Sequence, residues 1–172
     1  MIALRLDSGE MMCAAQVGTL RRVRALARNR GEPYGTPRCP WDADIEGAAA
    51  ELLVARELGR YWHPALDPDR KVGDVAGVDV RHTRLDGGAL ILHDEDIDDR
   101  PYVLVTGSLP LLTIRGHLHA ETGKDRRWWR TDTGRPAYFV PQAALDPGLP
   151  EAYKATDFAR RGQQHVQLQT EG

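Results

Sequence analysis

The chain reads as an α+β domain with a mixed, mostly antiparallel sheet flanked by helices. Two early segments carry helical spacing with capping residues at their ends. The stretch after residue 73 breaks into short β-rich runs separated by Gly, Pro and Asp. At 172 residues the chain is long enough for one ordinary core and short for two.

Residues 2–6 alternate as a short strand. Asp7 or Ser8 can cap a helix running to about Arg28. Its apolar positions Met12, Leu20, Val23 and Leu26/Ala27 follow helical spacing, while Arg21, Arg24 and Arg28 form a stripe on another face. Residues 29–41, with Gly31, Pro33, Gly35, Pro37 and Pro40, form a loop. A second helix is predicted to start after Asp42 or Asp44 and to end at Gly59. Its apolar face centres on Ile45, Ala48, Ala49, Leu52 and Ala55. Glu51 lies at the edge of that face, and Glu46 and Glu57 lie on a more polar side. An inward carboxylate needs a cation or a metal, unless it reaches solvent.

After a Pro- and Asp-rich loop at 63–73 come strand signals at Val78–Thr83, Ala89–Leu92, Tyr102–Gly107, Thr113–Ala120 and Pro136–Pro141. Leu85-Asp86-Gly87-Gly88 reads as a hairpin turn between the first two. Gln142–Leu145 can open a short helix, and apolar periodicity fades after about residue 155. The expected organisation is one domain over 1–155, with a strand and helix in 1–30, a core in 42–145 and a loose tail at 156–172.

The net charge of −2 hides an asymmetry. Residues 8–30 carry five arginines against Glu10, a net +4. Residues 42–99 carry 15 acids against 6 bases, a net −9. Residues 115–135 carry six bases against three acids, a net +3. An acidic middle between basic segments suits a metal site beside phosphate-binding surfaces. Ordinary solvated charge is the alternative. No apolar run is long enough to span a membrane, and the N-terminus lacks the basic flank of a secretory signal. Cys13 and Cys39 lack metal-ligand spacing and are expected to be reduced thiols, as in a cytoplasmic protein.

The most informative stretch is Gly73-Asp74-Val75-Ala76-Gly77-Val78-Asp79-Val80-Arg81. Strand alternation places Asp79 and Arg81 on one face and Val78 and Val80 on the other. The turn at Val75-Ala76-Gly77 can fold Asp74 back beside Asp79. Two carboxylates and a cation at a strand end can hold a divalent metal against a phosphate.

These residues resemble the restriction-endonuclease-like superfamily, the PD-(D/E)XK nucleases. The matching positions are Glu51 in Ala50-Glu51-Leu52-Leu53-Val54-Ala55, Asp74 in Gly73-Asp74-Val75, and Asp79 with Arg81 in Val78-Asp79-Val80-Arg81. Tyr102–Gly107 and Ala137–Gln142 also look like uncharacterised phage-borne members of the group. The resemblance covers residues 42–145. It implies a restriction-endonuclease-like core and metal-assisted phosphodiester hydrolysis. Mg²⁺ or Mn²⁺ would sit on Asp74, Asp79 and the backbone carbonyl of Val80, with Glu51 acting through water or on a second ion. Arg81 would stabilise the phosphate. It implies nucleic acid as partner, DNA ahead of RNA, in the cytoplasm (the host's, if the chain is phage-borne), and leaves a homodimer open.

Two features depart from the family. Arg81 stands where a lysine is usual, and Arg stays protonated. The gap from Asp74 to Asp79 is short, and Asp67 and Asp69 are alternative first acids. A nuclease-fold protein that binds nucleic acid or a protein without cutting, such as a phage accessory protein, is therefore the second reading.

Other constellations are weaker. Asp94–Asp99 lacks EF-hand spacing and reads as a solvated hairpin loop. His117 and His119 share a strand face with no third ligand and read as structural or exposed. Lys124, Arg126, Arg127, Trp128 and Arg130, with Trp129 among them, interleave bases with aromatics. With Arg21, Arg24 and Arg28 they are the candidate nucleic-acid contacts, expected to flank the acidic cleft.

Overall fold

The computed structural model describes residues 2–28, 39–66, 73–133 and 135–155. Asp67, Asp69, Arg30 and the tail at 156–172 lie outside the described residues.

Strand β1 (Ile2–Arg5) leads into helix α1 (Ser8–Ala27). Asp7 caps α1 in a reciprocal capping box. Its carboxylate accepts from Glu10 N at 2.8 Å, and Glu10 accepts from Asp7 N at 2.8 Å. Helix α2 (Pro40–Leu58) begins earlier than predicted because Pro40 occupies its first turn, where a missing N–H costs nothing. It stops at Gly59, which takes φ 66° as expected of a left-handed cap.

A four-stranded sheet follows, in the order β1-β5-β4-β2. Its strands are β2 (Asp79–Thr83), β4 (Pro101–Ser108) and β5 (Leu111–His119) together with β1. β2 runs parallel to β4, and the other pairs are antiparallel. A second, antiparallel sheet has the order β3-β7-β6, from β3 (Leu90–Leu92), β6 (Trp129–Arg130) and β7 (Ala137–Val140). A one-turn helix, α3 (Ala120–Gly123), and a 3-10 turn at Arg126–Trp128 connect β5 to β6. Gln142–Ala144 forms the expected short helix as a 3-10 turn.

The mixed sheet separates two cores. Leu53, Val54, Leu58, Val78, Val103, Val105, Leu112 and Ile114 pack together on the helical side. Leu90, Leu92, Tyr102, Leu104, Leu118 and Val140 pack between the two sheets. β5 serves both. Leu104 pairs with Gly116 but Val105 pairs with Ile114, so Arg115 is an extra residue. That bulge turns Ile114 and Leu118 to opposite sides.

Three expectations are corrected. The turn at Leu85–Gly88 forms, with Gly88 N donating to Leu85 O at 2.9 Å, but it does not make a hairpin. It carries the chain from β2 in one sheet to β3 in the other. Helix α1 is turned away from the face its larger apolar residues suggest. Met12, Leu20, Val23 and Leu26 are exposed, whereas Ala14 and Gly18 are buried. The cause is a close approach to α2: a Cβ on Gly18 would lie 2.5 Å from Ile45 Cα. Helix α2 is buried over more of its surface than predicted, on Glu46, Ala50, Leu53 and Val54 as well as Ala48, Ala49 and Ala55. It is covered by α1 on one side and by the sheet on another.

Candidate functional site

The turn before β2 forms as the sequence suggests. Val75 and Val78 exchange backbone hydrogen bonds at 3.0 and 2.8 Å, and Asp74 N donates to Val78 O at 2.9 Å. Ala76 (φ 49°) and Gly77 (φ 89°) both take positive φ, as a two-residue turn of this hand requires. Asp74 is thereby folded back along β2, where its Oδ2 accepts from Val80 N at 2.8 Å. A strand residue presents its N–H and C=O to the same side. The Val80 carbonyl therefore faces the open edge of β2, on the side of Asp74.

Asp79 and Arg81 leave β2 on the side of Tyr102 and Leu104, their register partners on β4. Val78 and Val80 join the helical core. Arg81 lies 5.0 Å from the centre of the Tyr102 ring, and its Nη2 donates to Asp96 Oδ1 at 3.0 Å.

From the helical layer, α2 supplies Glu51 and α1 supplies Arg21. The Gly18 contact brings the two helices close enough for Arg21 to hold both oxygens of Glu51, at 2.6 and 2.8 Å. Arg21 Nε also donates to Ala65 O at 2.9 Å. At the next residue of α1, Arg22 Nε donates to Asp44 Oδ2 at 2.7 Å. Glu46, expected on a polar side, is buried and held by Arg84 Nε at 3.0 and 2.8 Å.

The connection from β3 to β4 closes the site. Asp96 accepts from His93 N at 2.9 Å as well as from Arg81. Arg100, buried just before β4, donates from Nη1 to Asp79 Oδ2 at 2.9 Å. Asp94, Glu95, Asp98 and Asp99 are exposed as expected, but the segment is not a hairpin, since it joins strands of different sheets. Lys124 Nζ ties it down through Asp94 O at 2.9 Å, Asp96 O at 2.5 Å and Asp98 Oδ1 at 2.6 Å.

Glu51, Asp74, Asp79 and Arg81 all line one cleft of about 640 Å³ at the start of β2. The wall also includes Arg21, Asp44, His93, Glu95, Asp96, Arg100 and Tyr102. Six carboxyl groups face three guanidiniums there, an excess of three negative charges when every carboxyl is ionised. Burial, and then the Glu51 carboxylate, push the Asp74 carboxyl up to about 7. The Val80 N–H opposes that shift, and Asp79 adds to it. Burial and then the Arg135 cation hold His93 below the usual imidazole range, and its Nδ1 is buried without a partner among the described residues. Burial, then Asp79 and Asp96, raise the Tyr102 hydroxyl to about 12.

The donor chemistry suits a hard divalent cation, because Glu51, Asp74, Asp79 and the Val80 carbonyl are all oxygen ligands. Among the described residues, however, no three Asp, Glu, His or Cys side chains are gathered as a metal-binding group. Arg21 occupies Glu51 and Arg100 occupies Asp79, which leaves Asp74 as the one of the three without an arginine hydrogen bond among the described residues. A cation would draw on all three only if an arginine gave way.

The expected nucleic-acid contacts do not form one border around the cleft. Arg21 lines it, bound to Glu51, while Arg24 and Arg28 are exposed on the last turn and cap of α1 and do not line it. Lys124 is spent on the β3–β4 connection. Arg127, Trp128 and Arg130 line a separate groove on the smaller sheet, and Arg126 is exposed beside them. His117 and His119 are structural as expected, with Nδ1 at 3.1 Å from Gly148 O and 2.9 Å from Asp99 O. Cys13 and Cys39 are free and exposed.

Sequence reasoning missed Arg100, Asp96 and His93. Only the placing of a single arginine between an acidic run and a strand hinted at them. No helix among the described residues is long and apolar enough to cross a membrane. Comparison with known protein families, curated proteins and solved structures finds no match.

Proposed function

We propose that the chain is a divalent-metal-dependent nuclease with a restriction-endonuclease-like, PD-(D/E)XK core, acting on DNA ahead of RNA in the cytoplasm. The observation that carries this reading is the meeting of Glu51, Asp74, Asp79 and Arg81 in one acidic cleft. They come from a helix, a turn and a strand, in the order the resemblance requires. Asp74, Asp79 and the Val80 carbonyl would hold Mg²⁺ or Mn²⁺, and Glu51 would join through water or at a second ion. A bound ion of this kind polarises a phosphate and lowers the pKa of its water.

The remaining work falls to the protein. Arg81, fixed by Asp96 and Tyr102, presents a planar fork suited to two phosphate oxygens. It stays protonated, so it can stabilise developing charge but cannot take a proton from water. Arg21 and Arg100 neutralise Glu51 and Asp79 in the metal-free protein.

The test is cleavage of linear, circular and single-stranded DNA and of RNA, with Mg²⁺ or Mn²⁺ and with EDTA. The expected result is metal-dependent cleavage of DNA, lost in Asp79→Ala. Absence of cleavage from every substrate, or cleavage that survives Asp79→Ala, would overturn the proposal. The two arginine–carboxylate pairs favour a second reading, a nuclease-fold protein that binds nucleic acid or a protein partner without cutting. Binding of nucleic acid with no cleavage under any metal would select it.

A further inference from the structure

The groove on the smaller sheet shares no lining residue with the acidic cleft. Its volume is about 400 Å³, within the range of small-ligand sites. Two half-buried aromatic rings, Trp128 and Phe139, form its walls. A guanidinium lies over each: Arg127 is 4.3 Å from the centre of Trp128, and Arg130 is 5.1 Å from that of Phe139. Both arginines are themselves ion-paired, to Asp125 at 3.1 Å and to Asp132 at 2.8 Å, so their charge is partly met. The side chain of Arg126, next to them and exposed, makes no hydrogen bond or ion pair among the described residues.

Gln142 adds a polar group of defined orientation. Its Nε2 donates to Asp86 O at 2.7 Å and to Gly88 O at 2.9 Å. Only the amide nitrogen can donate, so the flip is settled by chemistry. This pins the Leu85–Gly88 turn as one rim of the groove. Oε1 is left without a partner among the described residues, an acceptor for an amine or ring N–H.

We propose that this groove receives an unpaired nucleobase, so that the protein engages its nucleic acid as a single strand at this point. The inference rests on the nucleic-acid part of the proposed function and adds the strandedness of the substrate. A guanidinium layered over an aromatic ring offers a stacking platform that any base can use. A duplex keeps its base faces stacked inside, so only an unpaired or splayed base can reach Trp128 or Phe139. Arg126, Arg127 and Arg130 stand where the flanking phosphates would run, and the Gln142 carbonyl meets the base edge.

The test is binding by the full chain in EDTA, where no metal-dependent cleavage occurs. Fluorescence anisotropy would follow a labelled single-stranded oligonucleotide and a duplex of equal length across a salt series. Single strand should bind more tightly than duplex. Trp128→Ala should weaken single-strand binding roughly tenfold and leave duplex binding nearly unchanged, with most affinity restored in Trp128→Phe. Trp128 packs partly on the inter-sheet core, so the exposed Arg127→Ala serves as a second variant. It should flatten the single-strand salt slope by about 0.7, one lost phosphate contact. Equal losses on both substrates, or no loss from either variant, would overturn the groove assignment and leave the nuclease reading standing. No binding of any oligonucleotide in EDTA would overturn the groove assignment, while the nuclease reading stands or falls on the metal-dependent cleavage assay.

Discussion

Arg21 and Glu51, thirty residues apart and on different helices, form a bidentate ion pair in the cleft, with Nη1 on Oε1 and Nη2 on Oε2. Their side chains are 15% and 9% exposed. The pair is sheltered enough that losing one partner strands a buried charge, which costs far more than a surface bridge. It also occupies the one helix-borne carboxylate that a cation in the cleft would need.

A competition therefore follows between guanidinium and metal. In metal-free protein, Arg21→Ala should lower stability by about 2–4 kcal/mol. Added Mn²⁺ should then raise the melting temperature of Arg21→Ala by more than it raises that of wild type, because Glu51 is released to the ion. Thermal unfolding with EDTA and with Mn²⁺ reads both effects. A smaller Mn²⁺ shift in the variant would show that Glu51 does not serve the ion.

His93 gives a pH signature. Its folded-state pKa is lowered by burial first and by Arg135 second, so the unfolded chain binds the proton more readily. The His93 contribution to stability is whole above the ordinary imidazole pKa and is lost as pH falls below it. Asp74, raised to about 7, acts in the opposite sense over part of that range, so the informative quantity is a difference. Between about pH 6.5 and 5, wild type should lose a few tenths of a kcal/mol more than His93→Asn, since partial exposure limits the effect. Urea denaturation of both proteins across that range measures it. Parallel curves would mean that His93 is protonated as readily folded as unfolded.

The same turn that makes the site carries a small strain. Ala76 is exposed and sits at φ 49°, a region that disfavours residues with a Cβ but suits asparagine. Ala76→Asn creates Asn-Gly, the preferred pair for a turn with two positive φ values. It should stabilise the protein by about 0.5–1 kcal/mol without altering metal or nucleic-acid binding. A loss of stability on denaturation would show that the 75–78 turn is not the one described.

These sites differ in how far the sequence revealed them, and the difference is one of range. The turn at 73–78 and the alternation of Asp79 and Arg81 were legible because each depends on neighbours a few residues away. So were the cap at Asp7 and the stop at Gly59. The orientation of α1 was not, because periodicity says which residues share a face but not which face meets a partner. The small residues Ala14 and Gly18 decided it by letting α2 come close. The bulge at Arg115, which divides β5 between two cores, was not legible either, because it arises from the pairing with β4 and not from neighbours along the chain. Arg100 and Asp96 were missed because their partners, Asp79 and Arg81, lie across a sheet and not along the chain.

Arg81→Lys bears most directly on the chemistry. Arg81 is held at one side by Asp96 and lies over the Tyr102 ring, a setting that orients a planar fork. A lysine there keeps one positive charge but offers a single point of contact, and it loses the stacked plane. If Arg81 clamps the scissile phosphate, Arg81→Lys should raise KM and lower kcat/KM roughly tenfold, which is about 1.4 kcal/mol of transition-state binding. Metal affinity, followed by Mn²⁺ titration, should stay within about twofold of wild type, because the formal charge beside Asp74 and Asp79 is kept. A faster Arg81→Lys enzyme would mean that the natural arginine impairs activation of water, since only lysine can shed its proton near neutral pH. An unchanged rate would place Arg81 outside the reacting site.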